Sequence, residues 1–225
     1  MLTKDMNDLL QSAHTYGWVM EPYAKRLFAL AGMDVPRFKW ARSLDEGVSF
    51  AHEIGYPVVM KIVSPQVVHK SDVGGVAIGI TDSTGLASAF NRMSTIKGFA
   101  GVIVEETVKG IELIIGATID EQFGPVILVG IGGTSTEIYH DVGLAMAPLC
   151  ESDVDNMIRG IKAVPLLKGF RGSEPANIDA LKKLVIRFSE LVMDLGDIIE
   201  SIDLNPVMCS AERCVIADAR IMLRK

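Results

Sequence analysis

PVVMKIVSPQVVHKSDVGGVAIGI, residues Pro57–Ile80, is the stretch on which the reading of this chain turns. Val58–Val63 has the composition of a buried strand, interrupted once by Lys61. Ser64–Asp72 is a polar loop that carries His69 beside Lys70, and Gly74-Gly75 leads into a returning strand, Val76–Ile80. A lysine within a strand is a compact positive charge suited to a nucleotide phosphate. Glycines let backbone N–H groups come close to an anion. An imidazole is a nucleophile that can carry a phosphoryl group covalently. Singly, each residue has an ordinary structural use: a strand lysine keeps its head in water at an edge, a Gly-Gly pair makes a turn, and a loop histidine lies on the surface. Together, and with two acidic clusters downstream, they point to phosphate chemistry.

Working outward, 225 residues suffice for one large domain or two small lobes. Hydrophobic residues are 49% and charged residues 22%, which allows a full core and excludes a disordered chain. A net charge of -6 argues against a nucleic-acid partner, since phosphate backbones demand a basic face. No uncharged apolar run reaches the ~18 residues of a membrane span, so no membrane partner is expected. Cys150, Cys209 and Cys214 form no CxxC. Neither a zinc site nor a disulfide framework is indicated, and a cytoplasmic location is expected.

Helices and strands alternate through the first hundred residues, and strands dominate afterwards. The fold class expected is α+β (α/β), in two lobes. Residues 1–20 form an uncertain leader, 21–100 an N-terminal lobe and 101–225 a C-terminal lobe, with a hinge near Gly101. Glu21-Pro22 opens a helix that Gly32 stops. Ser43-Leu-Asp-Glu46 is a capping-box pattern for the next helix. Glu112–Ile119 and Pro125–Gly130 can pair as a hairpin. Leu181, Leu184, Val185, Phe188, Leu191, Val192 and Leu195 line one face of a late helix ended by Gly196.

Four further constellations carry chemistry. Glu105-Glu106-Thr107-Val108 lies between strands, with Glu112 following; a carboxylate can hold ribose hydroxyls and a backbone edge can pair with adenine. Asp203-Leu-Asn205-Pro is followed by Asp218. Residues two apart on a strand share a face, and a hairpin partner can bring Asp218 alongside, giving hard oxygen ligands for Mg²⁺. Gly130–Asp141 adds Gly132, Gly133, Glu137, His140 and Asp141. Lys168-Gly-Phe-Arg171-Gly offers Arg171 as a phosphate fork.

The order of these motifs resembles an ATP-grasp fold with a nucleotide bound between its two lobes. More narrowly, residues 55–76, VEETVKGIEL (104–113), residues 124–142, LLKGFRG (166–172), IDLNPV (202–207) and ADARI (217–221) resemble the β subunits of ADP-forming acetyl-CoA (acyl-CoA) synthetases. The succinyl-CoA synthetase β subunit is a more distant likeness. The resemblance implies the reaction acyl-CoA + ADP + phosphate ⇌ acid + CoA + ATP. It implies ATP/ADP and Mg²⁺ as cofactors, and an α subunit that binds CoA. By motif, Lys61 contacts the nucleotide phosphates over the Gly74-Gly75 loop, Glu105, Glu106, Thr107 and Val108 line the adenine pocket, and Glu112 holds the ribose. Arg171 assists with phosphate, Asn205 and Asp218 are metal ligands with Asp203 close by, and His69 is the catalytic phosphoryl shuttle. Two other readings stay open: a free-standing ATP-grasp carboxylate ligase, which has no need of His69, and a non-catalytic nucleotide-sensing domain.

Overall fold

The computed structural model describes residues 1–132, 141–170 and 174–224. They fall into two compact units, one of Pro36–Val108 and one that joins Met1–Val35 to Lys109–Lys225. This division differs from the sequence reading, which cut the chain once near Gly101 and left residues 1–20 as a leader.

The continuous unit is built on a four-stranded antiparallel sheet. Its strands are β2 (Phe38–Ala41), β3 (Val58–Ile62), β4 (Val76–Ile80) and β5 (Val102–Glu106), in the order β2-β5-β3-β4. Helices α3 (Leu44–Ile54) and α4 (Ser83–Ser94) cover one face. Ser43 accepts the Glu46 N–H at the start of α3, while the Glu46 carboxylate takes the Arg42 N–H, so the expected cap forms with its reciprocal bond one residue earlier. Val58, Met60, Ile62, Val102 and Val104 alternate into the core beneath the helices. The intervening residues Val59, Lys61, Ile103 and Glu105 therefore share the opposite face.

The discontinuous unit is organised on a seven-stranded antiparallel sheet. It contains β1 (Trp18–Val19), β6 (Ile111–Asp120), β7 (Gly124–Ile131), β8 (Val142–Met146), β9 (Ile199–Cys209), β10 (Cys214–Ile216) and β11 (Arg220–Leu223). The strand order is β1-β11-β9-β6-β7-β8, with β10 also paired to β9. The pairings in both sheets are antiparallel, which selects α+β over α/β. Helices α1 (Lys4–Ala13), α2 (Glu21–Leu30), α5 (Glu151–Gly160) and α7 (Ile178–Leu195) contribute to its core, as does the single turn α6 (Val164–Leu167). The buried face of α7 is the one its spacing predicts, Leu181 through Leu195.

Residues 1–20 are part of this core. Thr3 caps α1 through Oγ1, and Met6, Leu9, Leu10 and Ala13 are buried in it. Trp18 and Val19 then pair with Met222 and Ile221 at the far end of the chain. A second departure concerns cysteine. Register places Cys209 opposite Cys214 on β9 and β10, with Cα atoms 4.1 Å apart, and the two are joined as a disulfide. Spacing alone misses this pair because a cross-strand bridge depends on register, not on a CxxC pattern. Among the described residues, no helix is long and apolar enough to cross a membrane.

Candidate functional site

Lys61 sits at the centre of its sheet, opposite Val76 on β4 and Ile103 on β5. Its side chain is buried, and its ammonium lies 2.9 Å from Glu105 Oε1, which is buried as well. The contact is diagonal: Glu105 faces Val59, two residues along from Lys61. Two desolvated opposite charges at hydrogen-bond distance hold each other in place. Glu105 thus pairs with Lys61, where the sequence reading grouped it with the adenine-lining residues. Its neighbours are held too. Glu106 accepts the Arg37 backbone N–H and Nε, and the Thr107 hydroxyl donates to the Pro57 carbonyl at 2.8 Å.

The loop after β3 is pinned at both ends. Buried Ser64 donates its hydroxyl to the Lys97 carbonyl at 2.9 Å and accepts the Gln66 N–H. At the other end, Gly74 and Gly75 donate their N–H groups to the Ser71 and Lys70 carbonyls. Those two amides serve the turn itself, so the glycines act by shape. Gly74 has φ +66°, and a Cβ on Gly75 would fall 2.5 Å from Ile62 Cγ2. His69 is exposed, within this anchored loop. A side chain on a loop fixed at both ends can meet a reactant in solvent without disturbing the sheet.

Glu112 opens β6 opposite Met208, is exposed, and receives the Gly132 N–H on its own carbonyl at 2.7 Å. Asn205 is exposed on β9, where the pairing with β6 shifts register around the cis Asn205–Pro206 bond. Asp218 lies in the bend between β10 and β11, where the sequence reading had it on a strand. The Pro206 carbonyl accepts both the Ala217 N–H (3.0 Å) and the Asp218 N–H (3.3 Å), so the backbone itself brings Asp218 beside the Asn205–Pro206 step. Asp203, on the same face as Asn205, pairs with Arg220 Nη2 at 3.2 Å. Arg220 was not singled out from sequence; its signal was a lone cation in the otherwise apolar strand RIML.

Among the described residues, no group of three or more His, Cys, Asp or Glu side chains is placed to hold a metal. One carboxylate and one amide oxygen still suit Mg²⁺, which keeps several waters and takes few protein ligands. Asp141 anchors a loop, its two oxygens accepting the Lys162 and Ala163 N–H groups at 2.8 Å. Gly133, Glu137, His140 and Arg171 lie outside the described residues.

Comparison with known proteins identifies the family. The ATP-grasp domain model matches residues 11–223. The ADP-forming acetate–CoA ligase I subunit beta of Pyrococcus furiosus is 43% identical over 213 residues, covering 91% of this chain and 91% of that protein. The ADP-forming acetate–CoA ligase I of Archaeoglobus fulgidus is 40% identical over 199 residues, covering 85% of this chain and 29% of a longer protein. A structure of the Ca. Korarchaeum cryptofilum dinucleotide-forming acetyl-coenzyme A synthetase 1, in complex with coenzyme A and Mg-AMPPCP and with a phosphohistidine segment pointing towards the nucleotide site, superposes with a TM-score of 0.86. That match is 40% identical and covers 97% of this chain and 100% of the other. The chain belongs to the ATP-grasp family, with the β subunits of ADP-forming acetyl-CoA synthetases as its close relatives.

Proposed function

We propose that this chain is the nucleotide-binding β component of an ADP-forming acyl-CoA synthetase, an acid–thiol ligase working with an α partner: acyl-CoA + ADP + phosphate ⇌ acid + CoA + ATP. The observation that carries the reading is the buried Lys61–Glu105 pair on the strand leading into the loop of His69, in a chain of this family. A buried lysine positioned by a carboxylate is a fixed positive charge that suits phosphate oxygens. The partner is inferred from the relatives, one named a β subunit and one a longer chain that contains the matching region.

In this reading Lys61 binds the nucleotide phosphates, with Glu105 holding it. Glu106, Thr107 and Val108 border the adenine, Glu112 holds the ribose, and Arg171 adds a phosphate contact. Asn205 and Asp218 hold Mg²⁺, with Asp203 beside them. When bound, Mg²⁺ would offset negative charge on the phosphate oxygens. The His69 imidazole attacks the phosphoryl group delivered from the α side through a ring-nitrogen lone pair; an N–P bond forms as the acyl-phosphate or phosphohistidine bond to that group breaks. A terminal oxygen of ADP then attacks the same phosphorus, the N–P bond breaks, and ATP forms as the His69 imidazole is released.

The test is labelling of the purified chain with γ-labelled ATP and Mg²⁺, with and without an α subunit of this enzyme class. Acid-labile, base-stable label is expected on His69 and is absent in His69→Ala. An unlabelled His69 beside a phosphorylated α subunit would remove the shuttle role and leave a nucleotide-binding ligase or sensing domain.

A further inference from the structure

The face of the seven-stranded sheet turned away from its core residues carries a second cation–carboxylate pair. Asp203 on β9 and Arg220 on β11 stand directly opposite each other, with Nη2 to Oδ2 at 3.2 Å and side chains 34% and 29% exposed. On the other side of Asp203, β6 presents Gly116. A Cβ added there would meet only the Ile202 carbonyl oxygen, at 3.4 Å. On that side Asp203 therefore has bare backbone as its neighbour, and Arg220 is its cross-strand partner on the other. Along the same chain segments, Asn205 lies two residues beyond Asp203, and Asp218 two residues before Arg220.

The geometry points to Arg220 as a phosphate-contacting residue of the nucleotide site, and to Asp203 as the positioning residue that aims its guanidinium, not as a third Mg²⁺ ligand. This rests on the nucleotide-binding reading above. A carboxylate already bonded to a guanidinium is a poor ligand for a second cation. A planar guanidinium beside a hard-oxygen metal set matches phosphate geometry, because the fork reaches oxygens that the metal leaves uncovered. A purely structural surface pair would contribute little and would leave ligand affinity alone.

The test is calorimetric titration of the full chain with ADP and with adenosine, across a Mg²⁺ series, for wild type, Arg220→Gln, Arg220→Lys and Asp203→Asn. Thermal unfolding identifies any variant that has lost its fold. Arg220→Gln should weaken Mg·ADP binding roughly tenfold, as expected for a lost charged contact, and leave adenosine binding unchanged. Arg220→Lys, which keeps the charge without the fork, should fall between the two. Asp203→Asn should weaken Mg·ADP binding with an unchanged half-saturating Mg²⁺ concentration. A raised Mg²⁺ requirement in Asp203→Asn would make Asp203 a metal ligand and overturn the assignment. So would wild-type Mg·ADP affinity in folded Arg220→Gln. A wild-type chain that binds no ADP would defeat the nucleotide reading itself and this assignment with it, and is distinct from either variant result.

Discussion

Replacing Glu105 by Gln should strike the stability of the Pro36–Val108 unit harder than any exposed substitution in it. The Lys61 ammonium is 2.9 Å from Glu105 Oε1, and both side chains are under a tenth exposed. At an effective dielectric near 20, two unit charges at that distance attract by about 6 kcal/mol. Glutamine keeps the shape and one acceptor oxygen but loses the charge, so the lysine stays buried with only part of its compensation. Removing one partner of a buried pair costs roughly 3–5 kcal/mol, and the lower end is expected here because an acceptor remains. Urea unfolding reads this directly. Each unit holds one tryptophan, Trp18 in the discontinuous one and Trp40 in the other, so fluorescence in a Trp18→Phe background follows Trp40. At a slope of about 1–3 kcal/mol/M, a loss of about 3 kcal/mol moves the midpoint by roughly 1–3 M. The double variant Lys61→Met/Glu105→Leu removes both charges and should regain most of that stability while losing affinity for Mg·ADP. A midpoint for Glu105→Gln equal to wild type, or a double variant less stable than the single, would refute the reasoning.

Gly75→Ala would push a methyl against Ile62 Cγ2 and the Lys70 carbonyl oxygen, at 2.5 and 2.9 Å. It should cost about 1–3 kcal/mol by thermal or urea unfolding and reduce phosphorylation of His69; normal labelling would show that the loop tolerates a shifted base. Asp120 is held below the ordinary carboxylate range by the N–H of Phe123 and then that of Gln122. A lowered folded value means its contribution is complete above about pH 4 and lost as pH falls through that lower value. The urea midpoint of Asp120→Ala should therefore lie below wild type at pH 7 and converge on it in acid; a gap that widens on acidification would contradict this.

How much of this was legible depended on whether local pattern or distant register decided the matter. The strands on either side of the His69 loop, the β6–β7 pairing and the buried stripe of α7 follow from alternation or helical spacing within one segment. The place of residues 1–20 was not legible, since it depends on Trp18 meeting Met222, at the other end of the chain. The Cys209–Cys214 bridge was hidden for the same reason. At the candidate site, Lys61 stood out as a charge in an apolar strand. Its partner did not, because a diagonal contact between β3 and β5 requires knowing which residues oppose. Asp203 illustrates the converse. Its spacing from Asn205 correctly puts both on one face, yet only the cross-strand neighbour reveals that an arginine already occupies its carboxylate. The two glycines were noticed for their amides, which bond within the turn through contacts that only the folded loop reveals.

The interruption of one unit by the other sets the order in which the chain can be completed during synthesis. All the strand pairings of the four-stranded sheet lie within one uninterrupted run, Pro36–Val108, so that sheet can close soon after residue 108 has left the ribosome. The Met1–Val35 segment has to wait. Its strand β1 finds its partner only once β11 (Arg220–Leu223) has been made. Until then β1 has no partner strand, and pairings of such long sequence separation are the slow and aggregation-prone ones. A ribosome stalled before β11 would thus hold a formed Pro36–Val108 sheet beside an unfinished, sticky remainder.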